Sequence, residues 1–362
     1  MSPSPEAIAT AVVMLLSMSA YALLGGADFG GGIWDLLAGG PERGKEPRET
    51  IDASVTPVWE ANHVWLIYVL VLAWTAFPRA FAAAMITLFV PLSLSLLGIV
   101  ARGVGFAFRH QVQGLYAKAL FGVMFAASSL LAPFFLGTAI GAIATGQVRA
   151  TAQFSVVDAW TTLTALLSGG LFVAACAYVG AIYLIGDSRR RNEPGMVRYF
   201  RVRAAAAGLA TGALAIGVLA SMSYSGHYVF HRLLGAALPL VALSLAAGLA
   251  ALLMIAAGLV RGLRVAAMLA VAGVVFGWGW AQYPWLLPRT LTLQAGAAPA
   301  GSLLAELAVM GLIALLAGPA FALLFWLQQR DLLGETDTIE DLRRAMAAAE
   351  SQPPTPAIGS KR

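Results

Sequence analysis

Residues 57–74 read PVWEANHVWLIYVLVLAW. Glu60 and His63 stand three residues apart, and a helix brings positions i and i+3 onto one face. A carboxylate and an imidazole at that spacing can pass a proton, one accepting what the other releases. The same residues also read as the start of a helix. Pro57 suits a first turn, and Glu60 complements the positive end of the helix dipole. Trp59 and Trp65 flank Asn62 and fit an interfacial aromatic belt as well as a motif.

Further charges sit in or beside apolar runs. A charge inside a bilayer costs about 2.5 kcal/mol or more, so it faces protein or water and has a partner. Asp28 lies in LLGGADFGGGIWDLLAGG, where apolar character continues to Leu37. The glycines at 25, 26, 30, 31 and 32 either admit a close helix neighbour or break the helix. Arg102 ends a later run in LSLLGIVARGVGFAFRH and is expected at a depth similar to Asp28, so the two can form an ion pair. The other readings are a headgroup-level carboxylate for Asp28 and a snorkelling arginine for Arg102. Glu306 and Asp158 read as ordinary helix N-terminal acids.

The elements that must position these residues are membrane spans. The 362-residue chain is 59% hydrophobic and 11% charged, where a soluble domain carries about 25% charge. Its mean hydropathy is +0.79. Apolar runs of about 20 residues are long enough to cross a bilayer. The sequence predicts an all-α integral membrane protein with nine spans near 6–27, 61–78, 80–101, 118–143, 159–186, 204–224, 233–259, 263–282 and 303–327. One transmembrane domain over 1–328 is then followed by a polar tail, 329–362. Within that tail, ETDTIEDLRRAMAAAE suggests a short surface helix and SQPPTPAIGSKR a disordered end. Of 23 Lys and Arg residues, 19 fall in the odd-numbered loops and the C-terminal tail, and 4 in the even-numbered loops. The positive-inside rule then gives an outer N-terminus and a cytoplasmic C-terminus. FGWGWAQYPWLLP (276–288) falls at the outer end of span eight as an aromatic belt.

A net charge of +5 does not point to nucleic acid, because the basic residues occupy the loops between spans. The single cysteine, Cys176, lies in an apolar run and reads as a small core residue. The first residues lack a basic n-region, which argues against a cleaved signal peptide. Of four histidines, His63, His110, His227 and His231, only His63 approaches a span interior. A buried haem would need axial His, Met or Cys at depth, so no redox metal is expected in this chain.

GGADFGGGIWDLLA (25–38), IDASVTPVWEANHVWLIYVLVLAWTAFPRAFA (51–82), GIVARGVGFAFRH (98–110) and QYPWLLPRTLTLQAGAAPAGSLLAELAVM (282–310) together resemble subunit II of the cytochrome bd quinol oxidases. The first 110 residues carry the resemblance most closely. It implies two four-helix bundles plus a peripheral helix in a bacterial inner membrane. It also implies a partner subunit I holding haems b and d, and a complex that oxidises quinol and reduces dioxygen to water. A small single-helix accessory subunit and a bound quinone also occur in the family, with no quinone site evident here. In the family the acid after the motif tryptophan, often aspartate, is assigned to proton uptake, and its counterpart is Glu60. The family's first-helix aspartate matches Asp28, and its arginine in span three matches Arg102. Glutamate in place of aspartate at 60, and His63 at a position often held by Gln or Glu, depart from the common pattern, and PVWEANHVW resembles the branch sometimes called cyanide-insensitive.

Three readings compete. The first is a non-haem oxidase subunit with Glu60 and His63 in proton uptake. The second is a secondary transporter with its own solute site, although no broken helices appear in matching halves. The third is a structural anchor with every charge interfacial.

Overall fold

In the computed structural model, the described residues are 2–40, 42–55, 59–109, 111–112, 115–150 and 157–329. The side chains of Glu60, Ala61, Leu115, Lys118, Phe325, Gln328 and Gln329 lie outside that set, as does the tail from 330 with its expected surface helix and disordered end. The all-α membrane class holds. Among the described residues eight helices are long and apolar enough to span a membrane, or nine if one bent pair counts as a span.

Helix α1 runs from Pro5 to Leu36, 32 residues, longer than the expected 6–27. Ser4 caps it, its hydroxyl accepting from the Ala7 N–H at 3.3 Å, and Pro5 occupies the first turn. Residues Tyr21–Gly25 form a π-turn inside it, so Asp28 lies within a continuous helix. Gly30 makes the next contact possible. A Cβ there would lie 2.1 Å from the Cys176 carbonyl oxygen and 2.8 Å from the Gly180 Cα, so only glycine lets the two backbones meet.

Helices α2 (Lys45–Val55) and α3 (Trp59–Ala76) follow. The chain then turns by 115° into α4 (Pro78–Thr87). The cause is local. Phe77, at φ −131° and ψ 54°, precedes a proline that disfavours helical geometry before it and has no N–H to give. The expected span at 80–101 is therefore corrected: the spanning helix is α5, Phe89–Arg109. Arg102 sits inside it and not at its end.

The remaining spans are α6 (Leu115–Ala144), α7 (Leu163–Arg190), α8 (Pro194–Ser225), α10 (Leu238–Ala257) and α11 (Leu263–Gln282), with α9 (His227–Leu233) a short link. Helices α5 to α8 pack as sequential neighbours, α10 pairs with α11, and α1 lies against α3, α6 and α7. Beyond α11 a small hairpin, β1 (Trp285–Leu287) with β2 (Leu291–Thr292), leads through the single turn α12 (Leu293–Gly296). This ordered hairpin was not expected from sequence. It lies beside the bend, where Ala298 N donates to Ala76 O at 2.8 Å. The last described helix, α13, is Ala300–Gln329. The chain divides into units Met1–Leu312 and Ile313–Arg362.

The largest buried cluster joins Tyr21, Phe29, Trp34, Ile51, Phe125 and Cys176. Its seam is fixed by Trp34, whose indole N–H donates to Ala177 O at 2.8 Å. Large apolar side chains such as Trp74, Leu97 and Leu253 face outward, as lipid-facing helices require.

Candidate functional site: a buried polar compartment

Four helices each place polar groups in the apolar core. Asp28 on α1 is 3% exposed, Asn62 on α3 is 3% exposed, and Arg102 on α5 is 1% exposed. The fourth group is the Ser129 hydroxyl on α6. Asn62 Nδ2 donates to Asp28 Oδ2 at 3.0 Å. One residue along α3, His63 receives the Arg102 guanidinium at its Nε2, 3.1 Å away. Arg102 Nε donates to Ser129 Oγ at 3.3 Å, and that hydroxyl donates to Phe125 O at 2.7 Å. The guanidinium also lies 5.2 Å from the Phe29 ring centroid and 5.0 Å from that of Phe125.

The tautomer of His63 follows from its partner. A guanidinium has only donors, so Nε2 must accept and the ring hydrogen of neutral His63 sits on Nδ1. Tyr21 and Phe29 hold the ring, with centroids 5.9 Å and 5.6 Å from it. The π-turn is what brings Tyr21 to this face, and such turns recur where a helix serves a site. Among the described residues, His63 Nδ1, Arg102 Nη2, Asn62 Oδ1 and the Tyr21 hydroxyl are buried without a hydrogen-bond partner. Orphaned polar atoms are costly in a core, and four of them belong to this one compartment.

The expected Asp28–Arg102 ion pair is not made by direct contact. No N···O approach within 4.0 Å joins them; each is held by a neutral neighbour, Asn62 for the acid and His63 for the base. They remain within Coulombic reach. Glu60 falls in the first turn of α3, one turn before His63, and its side chain lies outside the described residues. Trp59 packs on Phe106 at 5.2 Å, and Trp65 on Tyr68 at 5.7 Å. Glu306 is not merely a helix-start acid: the Thr75 hydroxyl donates to its carboxylate.

A second charged layer escaped the sequence reading. Asp35 accepts from Arg48 Nε at 2.9 Å and from Arg109 Nη1 at 2.7 Å, while Arg109 Nη2 reaches Asp52 at 2.9 Å. Arg109 also lies 5.2 Å from the Phe125 ring, so Phe125 has one guanidinium against it in each layer. Spacing held the clue: Asp28 and Asp35 are seven residues apart, two helical turns on one face. Contacts also gather the arginine-bearing ends of several spans on one side. Arg191 Nη1 donates to Thr50 O at 3.3 Å, and Arg203 lies 6.0 Å from the Trp34 ring.

Haem ligation at His63 does not fit this geometry, because Nε2 is taken by Arg102 and Nδ1 faces the packed core. Among the described residues no group of three or more His, Cys, Asp or Glu could hold a metal ion.

The sequence pattern of the family described as cytochrome bd terminal oxidase subunit II matches residues 7–328. Cytochrome bd ubiquinol oxidase subunit 2 of Bacillus subtilis (strain 168) is 29% identical over 178 residues, 47% of this chain and 52% of that protein. Cytochrome bd-I ubiquinol oxidase subunit 2 of Escherichia coli (strain K12) is 28% identical over 126 residues, 35% of this chain and 32% of that protein. The aligned region thus spans about half of the first relative's length and a third of the second's. A chain of the bd oxidase from Geobacillus thermodenitrificans superposes with a TM-score of 0.73 at 18% identity, covering 90% of this chain and 99% of that one. That likeness concerns the fold.

Proposed function

The chain belongs to the cytochrome bd terminal oxidase subunit II family, and on that premise we propose that it is the non-haem membrane subunit of a quinol-oxidising, dioxygen-reducing complex. Its partner is a subunit I carrying the haems, which supply the electron transfer and oxygen chemistry. This chain contributes the polar compartment of α1, α3, α5 and α6 as part of a proton route from the arginine-rich, cytoplasmic side.

The observation that carries the proposal is the pair of contacts Asn62–Asp28 and Arg102–His63, buried at adjacent positions of α3. Glu60 begins that helix and receives protons. His63, one turn on, is the next carrier. Asp28 is the buried acceptor, oriented by Asn62 and balanced in charge by Arg102. A proton taken up at His63 Nε2 would set two cations 3.1 Å apart. Transit through His63 therefore requires its contact with Arg102 to open, which makes that contact a gate.

A transporter with its own solute site finds less support. Discontinuous helices flanking a midplane site come in pairs from matching halves, and the described residues contain one bent helix pair.

Two experiments test the proposal. The chain, purified from its native membranes, should carry with it a haem-containing partner of similar span count, seen in a reduced-minus-oxidised spectrum. Isolation without such a partner would overturn the subunit assignment. The double variant Glu60→Ala, His63→Ala should assemble with normal haem content and reduce oxygen more slowly. Full oxygen reduction by that variant would remove the proton role.

A further inference from the structure

A cleft of about 350 Å³ opens between the last turns of α7 and the turn that begins α11. Four arginines line it: Arg189 and Arg190 from α7, and Arg261 and Arg264 from the turn and the start of α11. One carboxylate, Asp187, answers them. It takes Arg190 at 2.5 Å and also accepts from Arg264. Arg189 and Arg261 are exposed and have no ion-pair or hydrogen-bond partner among the described residues. Arg264 is held in place by a bond to Tyr183 O at 2.8 Å and by the Tyr183 ring at 4.8 Å, yet its Nε is buried and unpartnered.

The backbone adds to this field. Gly262, left-handed at φ 82°, caps α11 with no side-chain acceptor, and the first turn of that helix carries no acid. The positive end of a 20-residue helix therefore borders the same cleft with no acid of its own to offset it, and Asp187, already shared by two arginines, is the nearby carboxylate. Beside the charges lie the apolar side chains of Ile182, Val260 and Val265. An arginine fork matched to oxyanion geometry, next to apolar lining at the end of a membrane span, suits a phosphate with a lipid tail.

We propose that this cleft binds a phosphate-bearing anion, the headgroup of an anionic phospholipid or free phosphate, through Arg189, Arg261 and Arg264. The site is separate from the buried compartment and does not depend on the oxidase reading. Arg264 is the fixed donor, and Arg189 and Arg261 are the arms that close on the anion.

The test uses the complex as purified, in phosphatidylcholine nanodiscs containing a minor fraction of phosphatidylglycerol, with native mass spectrometry counting retained lipid. Arg189→Gln, Arg261→Gln removes two exposed side chains. A control, Arg43→Gln, Arg198→Gln, removes the same charge elsewhere from exposed positions. The wild type and control should retain phosphatidylglycerol, and the cleft variant should retain about ten- to thirtyfold less, as two lost guanidiniums imply. A second arm follows inorganic phosphate by ³¹P line broadening. Broadening with wild type and not with the cleft variant supports the site with free phosphate as its occupant. If neither anion distinguishes the cleft variant from wild type, or if the control loses as much as the cleft variant, the proposal is overturned.

Discussion

Arg102 donates to Nε2 of His63 across 3.1 Å, inside the helical core. A group that is always protonated thereby holds a titratable ring in one tautomer. Neither residue is near the other in sequence.

The contact makes His63 the acceptor that Arg102 needs. His63→Leu leaves a buried charged donor unmet and should cost about 1–3 kcal/mol or somewhat more. His63→Gln keeps a carbonyl acceptor and should stay near wild type. Heating the detergent-solubilised complex and following the folded fraction reads both; equal midpoints for the two variants would contradict this role.

Asp28 and Arg102 balance one another through their neighbours and not by touching. Asp28→Asn or Arg102→Leu alone strands a buried charge, at a cost of about 3–5 kcal/mol. The double variant should lose less than the two singles together, with a coupling of about 1–3 kcal/mol. Strict additivity in a double-mutant cycle would show that the charges do not sense each other.

Asp35 joins Arg48 to Arg109. Asp35→Ala takes the shared carboxylate from Arg48 and Arg109 at once and should lower the yield of folded chain in the membrane fraction sharply. Arg109→Lys should also lower that yield, because an ammonium cannot span Asp35 and Asp52 as the guanidinium fork does. Retention of wild-type yield by Arg109→Lys would exclude the bridging role.

Gly30→Ala places a methyl 2.1 Å from a carbonyl oxygen of α7, with no flexible side chain to yield. It should abolish stable folding. Gly212→Ala on α8 meets nothing within 4 Å and should be neutral or gain up to about 1 kcal/mol of helix propensity. Comparing the amounts of the two variants in membranes checks the prediction; similar amounts would rule out the close α1–α7 approach.

Much of the site was legible before any fold. Asp28, His63 and Arg102 stand out because a charge or imidazole in an apolar run needs a reason. The motif residue Asn62 was visible, but its bond to Asp28 was not, because nothing in the sequence ranks an amide above a guanidinium as that acid's neighbour. The bend at Phe77 had its warning in Pro78. Overlooking it moved the third span and put Arg102 at a helix end, where snorkelling competed with burial.

The sequence by itself determined the class and the partition. Long apolar runs must cross a membrane as helices, since only helices satisfy their own backbone there. The arginines concentrate in alternate loops, a property of composition along the chain. Only the tertiary structure decided which side chains meet. Pairing across helices depends on their rotation and depth, and these are set by contacts between distant residues. Gly30 against Gly180 draws α1 onto α7, and the π-turn at Tyr21–Gly25 resets the register of α1. Asp28 then finds Asn62, and Arg102 finds His63.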